Sequence, residues 1–204
     1  MYATARTSCT AFSGFCQIGS GELGAITPVI WRTLQDPEHE TVLVFEDETG
    51  HQVEVDFRGD LEDVLDRLET AARWANDDTA PPKTRGRGRP KLGVVAREVT
   101  LLPRHWQWLD TQPGGASAAL RRLVEEAKRA SGPADRLRKS QESAYRFMSS
   151  MAGDLEGFEE ASRALFAGDA VRFNEMTKNW PNDVRQHAQR LGAIALETSS
   201  EPDA

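Results

Sequence analysis

The side chains whose types and spacing could do chemistry lie together in one run, Arg85-Gly-Arg-Gly-Arg-Pro-Lys91. The minor groove of A·T-rich DNA is narrow and strongly negative, and it attracts inserted arginine. Gly86 and Gly88 have no Cβ, so the backbone can approach the groove floor between arginines. Pro90 fixes φ and holds the segment extended. In such a pose Arg87 and Arg89 enter the groove, while Lys83, Arg85 and Lys91 sit on phosphates. The same composition also suits a segment that binds RNA, or a solvated linker with no ligand.

Charge is distributed to match. The chain of 204 residues carries a net charge of −7, which argues against non-specific nucleic-acid binding by its whole surface. Residues 1–78, however, hold 5 basic and 16 acidic side chains, residues 79–139 hold 14 and 5, and residues 140–204 hold 6 and 11. A positive segment therefore lies between two negative ones, which is the distribution a nucleic-acid binder requires.

Other constellations carry less. Gly19-Ser-Gly-Glu-Leu-Gly24 has the spacing of a dinucleotide-binding loop, with Glu46 at a following strand end. The segment before the linker is too short for a doubly wound sheet, and the plainer expectation is a hairpin turn followed by a helix start. His39, His51, His105 and His187 share no metal-ligand spacing with one another or with cysteine, and are expected at the surface or at element boundaries. Cys9 and Cys16 do not have zinc spacing and are expected as small apolar residues on or near strands. No catalytic role, metal or cofactor is expected. No apolar run reaches the roughly 18 residues of a membrane span, and the first 16 residues lack a secretory h-region, so a cytoplasmic location is expected, at the nucleoid if DNA is bound.

Several elements must position the basic run. Cys9–Ile18 reads as strand material, and 22–34 as a helix interrupted or started by Pro28. Thr41-Val-Leu-Val-Phe45 and Gln52-Val-Glu-Val-Asp-Phe57 flank turn residues and predict a hairpin with Val53, Val55 and Phe57 on one face. Leu61, Val64, Leu65 and Leu68 have helical spacing, with Asp60 as N-cap. Residues 75–93 are rich in Pro and Gly and poor in apolar side chains, as expected of a flexible linker. Arg97–Leu102 then suits a short strand and Arg104–Thr111 a helix opened by Pro103. Gln112-Pro-Gly-Gly115 forms a turn, and Ser117 is the expected N-cap of a second helix. Gly132-Pro133 marks a boundary, and helices are expected over 134–151, 157–167, 169–179 and 183–196.

The core Arg87-Gly88-Arg89-Pro90 resembles an AT-hook, with Gly86 where the fullest pattern has Pro. The strand, helix, turn and helix over 96–131 resemble a ribbon-helix-helix unit. That resemblance implies a dimer whose paired strands enter the major groove, with Arg97 facing bases and Ser117 at a helix start that binds a phosphate. Trp106, Leu109, Leu120, Leu123 and Val124 would form the dimer core; the plainer reading of Trp106 and Trp108 is core, and that of the whole unit is an ordinary helical hairpin joined to the C-terminal helices. The alternating faces Arg97, Val99, Leu101 and Glu98, Thr100, Leu102 are less polar than the resemblance implies. Over nearly the whole length, including 88–109, 113–123, 158–166 and Trp180-Pro181, the chain resembles an uncharacterised bacterial family, a domain of unknown function.

These observations predict an α+β protein. A small acidic α+β domain occupies 1–75, the basic linker 76–95, the ribbon-helix-helix-like unit 96–131 and a helical region 132–204. The expected function is DNA binding as a transcriptional regulator or nucleoid-associated protein. The expected partners are A·T-rich DNA, a second copy of the chain in a homodimer or higher oligomer, and a protein partner for the acidic N-terminal domain, with no membrane. The alternative is a protein–protein adaptor whose basic linker contacts its own acidic domains. The lesser alternative is a nucleotide-binding enzyme using Gly19–Gly24.

Overall fold

The computed structural model describes residues 3–77 and 97–197. The described residues fall into two compact units: 3–77 with 136–197, and 97–135. The fold is α+β, as the sequence predicts. The sequence divides 1–75 from 132–204, whereas in the structure these two segments share one core.

Three strands form the larger unit's sheet: β1 (Ser8–Ser13), β2 (Cys16–Glu22) and β3 (Val42–Glu46). All pairings are antiparallel, in the order β2-β1-β3. Gly14, at φ +53°, makes the tight turn between β1 and β2, a backbone conformation that glycine adopts without strain. Alternation along the strands sends side chains to two faces. Cys9, Ala11 and Val44 face one apolar cluster with Leu23, Ile26 and Ile30 of α1 (Leu23–Leu34) and Leu68 of α2 (Leu61–Asp77). Phe12 and Phe45 face the other cluster, built from the C-terminal helices. Central strand β1 is buried from Cys9 to Phe12 because helices cover both sides of the sheet.

The α2 face is the predicted one, since Val64 and Leu68 are buried and Leu61 and Leu65 are half-buried. Asp60 caps it reciprocally with Asp63. The Asp63 N–H donates to Asp60 Oδ1 at 2.9 Å and the Asp60 N–H to Asp63 Oδ2 at 3.2 Å. The predicted hairpin arm 52–57 forms only one bridge, Phe45 with Gln52. Val53, Val55 and Phe57 still pack on the α1–α2 cluster. Their apolar periodicity is satisfied by burial alone, without continuation of the strand ladder.

Helix α4 runs from Gly115 to Met151 with Pro133 inside it, so Gly132-Pro133 does not end a helix as the sequence suggests. Proline there forfeits one i→i−4 bond, and good helix formers on both sides, including Lys128, Ala130 and Ala134, carry the helix across. Its last turns bury Ala144, Phe147 and Met148. Helices α5 (Phe158–Ala167), α6 (Ala170–Met176), α7 (Asn182–Leu191) and α8 (Ala193–Glu197) complete the second cluster. Asp169 caps α6 by accepting from the Arg172 N–H at 2.9 Å. Trp180, 5 % exposed, is fixed by its indole N–H donating to the Glu156 carbonyl at 2.9 Å.

The turn after β3 lies directly on α4. Gly50 has φ +68°, and a Cβ there would stand 2.0 Å from the Ser143 carbonyl oxygen. Arg146 Nη1 donates to the Thr49 carbonyl at 3.0 Å beside it. Gly50→Ala is expected to destabilise the fold by roughly 2 kcal/mol, from left-handed backbone strain and overpacking together. Chemical denaturation of the two proteins checks this, and equal midpoints would show that the turn can lift off the helix.

Candidate nucleic-acid interface

The basic run Arg85–Lys91 lies outside the described residues, so its arginines and glycines have no geometry here. The smaller unit begins just after it. Residues 97–102 form no regular element and pair with no strand among the described residues, so the predicted short strand is absent from the single chain, although Leu102 has extended dihedrals. A ribbon strand exists only through its partner strand, and one copy of the chain supplies none. Arg97 is exposed on this stretch.

Helix α3 (Pro103–Asp110) starts with Pro103 at its first position, as predicted, and ends at a turn in which Gly114 and Gly115 have φ +81° and +74°. Helix α4 then starts at Gly115, two residues before Ser117. Ser117 is therefore not the N-cap. It lies exposed in the first turn, where backbone N–H groups have no intrahelical acceptor. Glycine with positive φ makes the turn abruptly enough for the helix to begin before the serine.

The packing of this unit is unusual. Among its described residues the buried apolar ones are Leu109 and Ala119. Trp106 and Trp108 are 38 % and 49 % exposed, which corrects the expectation that they form core in the single chain. Val99, Leu102, Leu123 and Val124 are also exposed, Val124 at 61 %. One short helix and half of a longer one cannot enclose so many large side chains, because too little chain is available to cover them.

The larger unit holds a polar cluster that sequence reasoning missed. His187 is 2 % exposed, not at the surface as expected. Its ring centroid lies 4.4 Å from that of Phe147 and 5.4 Å from that of Phe12. Arg190 Nη2 donates to His187 Nδ1 at 2.6 Å and to Thr10 Oγ1 at 2.8 Å. Thr10 Oγ1 in turn donates to Asp47 Oδ1 at 2.7 Å. An arginine donor at Nδ1 places the imidazole proton on Nε2, which has no hydrogen-bond partner among the described residues. Burial, and then the Arg190 charge, push the His187 pKa down to about 4 against a smaller opposing effect of Asp47. The signal was present in the sequence: Val184, His187, Ala188 and Leu191 have i, i+3, i+4, i+7 spacing, and all are buried.

Other candidates resolve simply. Gly19 and Gly21 lie within β2, paired with β1, and Leu23 opens α1. The stretch is a strand leading into a helix, not a loop that could cradle a phosphate. Cys9 and Cys16 are free thiols on β1 and β2. Burial, with the charges of Asp47 and Glu46, pushes the Cys9 thiol up to about 12, so it stays protonated. Among the described residues no group of three or more His, Cys, Asp or Glu side chains could hold a metal ion, and no helix is long and apolar enough to cross a membrane.

No curated protein and no solved structure matches the chain. A family model described as an uncharacterized protein conserved in bacteria (DUF2239) matches residues 8–192. That range takes in the sheet, the basic run, the smaller unit and helices α5 to α7, and the chain belongs to this family.

Proposed function

We propose that this protein binds A·T-rich DNA as a dimer, with the Arg85–Lys91 arm in the minor groove and the 97–135 unit joining two chains. The observation that carries the proposal is the pairing of an Arg-Gly-Arg-Gly-Arg-Pro-Lys run with an adjoining unit that exposes Val99, Leu102, Trp106, Trp108, Leu123 and Val124. So many large exposed apolar side chains in one small unit mark an association site. A second copy pairing its own 97–102 stretch alongside would satisfy the unpaired backbone and cover these side chains together. In the dimer Arg97 and the first turn of α4 at Ser117 face the same duplex as the arms. Two arms on one duplex bind with avidity.

Light scattering tests the dimeric half of this reading. The full chain is expected to run at twice its 22.6 kDa mass, and Val124→Glu, which puts a charge on the exposed face, is expected to run as a monomer with unchanged helical content. A wild-type protein that is monomeric at tens of micromolar would remove the dimer from the account.

A further inference from the structure

We propose that the larger unit carries a binding site for a small phosphate monoester with an apolar body, in a cleft between residues 136–143 of α4, the α7–α8 corner and the turn after β3. The cleft is open to solvent and has a volume of about 540 Å³, within the roughly 300–1,000 Å³ range of small-molecule sites. Arg136 and Lys139 line it from α4 and Arg190 from α7, together with the carboxylates of Asp47 and Glu48 and the apolar side chains of Leu191 and Ile194. Three cations from two helices are thus gathered around one concavity.

Their hydrogen-bonding capacity is largely unspent. Arg190 uses Nη2 for Thr10, His187 and Asp47, which fixes the guanidinium plane and leaves Nε and Nη1 for a ligand. Asp47 is occupied by Thr10 and Ser8, whose hydroxyls donate to it at 2.7 Å and 2.8 Å. Ser140 and Ser143 turn their hydroxyls to the carbonyls of Leu191 and Ser140, so the two serines line the wall without competing for a ligand. Arg136 and Lys139 are exposed on one face of α4. A fixed guanidinium beside two further cations suits a dianionic phosphate better than a single carboxylate, because each oxygen can take a charge-assisted bond. Leu191 and Ile194 supply contact for the ligand's apolar part.

The test uses the full chain with its arm neutralised by Lys83→Ala, Arg85→Ala, Arg87→Ala, Arg89→Ala and Lys91→Ala, so that the result does not depend on phosphate or DNA binding there. Phenyl phosphate and inorganic phosphate are titrated calorimetrically at low salt. Phenyl phosphate is expected to bind, and more tightly than inorganic phosphate. Adding Arg136→Ala and Lys139→Ala is expected to weaken it at least about tenfold, the loss of two charged contacts, with an unchanged melting temperature. Absence of binding, or an affinity indifferent to the two added substitutions, would overturn the site. Equal affinities for the two probes would overturn the apolar body.

Discussion

Replacing Arg87 and Arg89 together by alanine is expected to weaken binding to an A·T-rich duplex by about 100-fold, or about 3 kcal/mol. In the proposed complex each arginine inserts into a groove whose narrowness concentrates negative potential, and the remaining cations of the run, Arg85 and Lys91, stay on phosphates outside it. The slope of log affinity against log salt should also fall by about 2, one for each cation removed. Fluorescence anisotropy across a salt series reads both quantities. A double variant that keeps wild-type affinity would move DNA binding away from the arm, to Arg97 and the start of α4.

Acidification from pH 7 towards pH 4 is expected to cost the larger unit on the order of 3 kcal/mol through His187 alone, from a folded pKa of about 4 against about 6.5 in the unfolded chain. The sign follows from where the proton binds. The folded protein holds the imidazole neutral among Phe12, Phe147 and Arg190, while the unfolded chain protonates as pH falls below about 6.5. Stability is therefore whole above that pH, declines through the window from about 6.5 to about 4, and levels off once the folded form also takes the proton. Carboxylates titrate in the same range, so the informative quantity is the difference between wild type and His187→Gln in denaturation experiments at each pH. The wild type is expected to lose stability more steeply between pH 6.5 and pH 4. Parallel curves would show that the imidazole escapes to solvent when charged.

Much of the architecture could be read from spacing. Leu61, Val64, Leu65 and Leu68 announce one face of α2, Asp60 its start, and Pro103 the start of α3, because these signals are local and depend on three or four neighbouring residues. Tertiary packing decided the rest. Pro133 should have ended a helix, but the buried face formed by Ala144, Phe147 and Met148 belongs to a helix that continues through it. Val53, Val55 and Phe57 have strand periodicity although pairing with β3 stops at Gln52 and Val53, since alternation reports only which side chains are buried. His187 is buried, against the expectation for its residue type, because its position between Val184 and Leu191 puts it on the buried face of α7. The sharing of one core by the two ends of the chain has no local signature, as it depends on Phe12 and Phe45 meeting Phe147 across about 100 residues, with the Phe45 and Phe147 rings 5.0 Å apart. In the candidate interface, the basic run was visible from composition alone. The exposure of Trp106 and Trp108 was not, because sequence marks them as apolar without saying whether their own chain can cover them.

The central claim is that the wild-type chain recognises A·T-rich DNA despite its net negative charge. The most direct measurement is the anisotropy of labelled A·T-rich and G·C-rich duplexes titrated with wild-type protein at several salt concentrations. The account predicts binding that is tighter for the A·T-rich duplex and falls log-linearly with salt. No binding to either duplex at low salt would contradict it, and would leave the basic run to contact the acidic surface of its own protein.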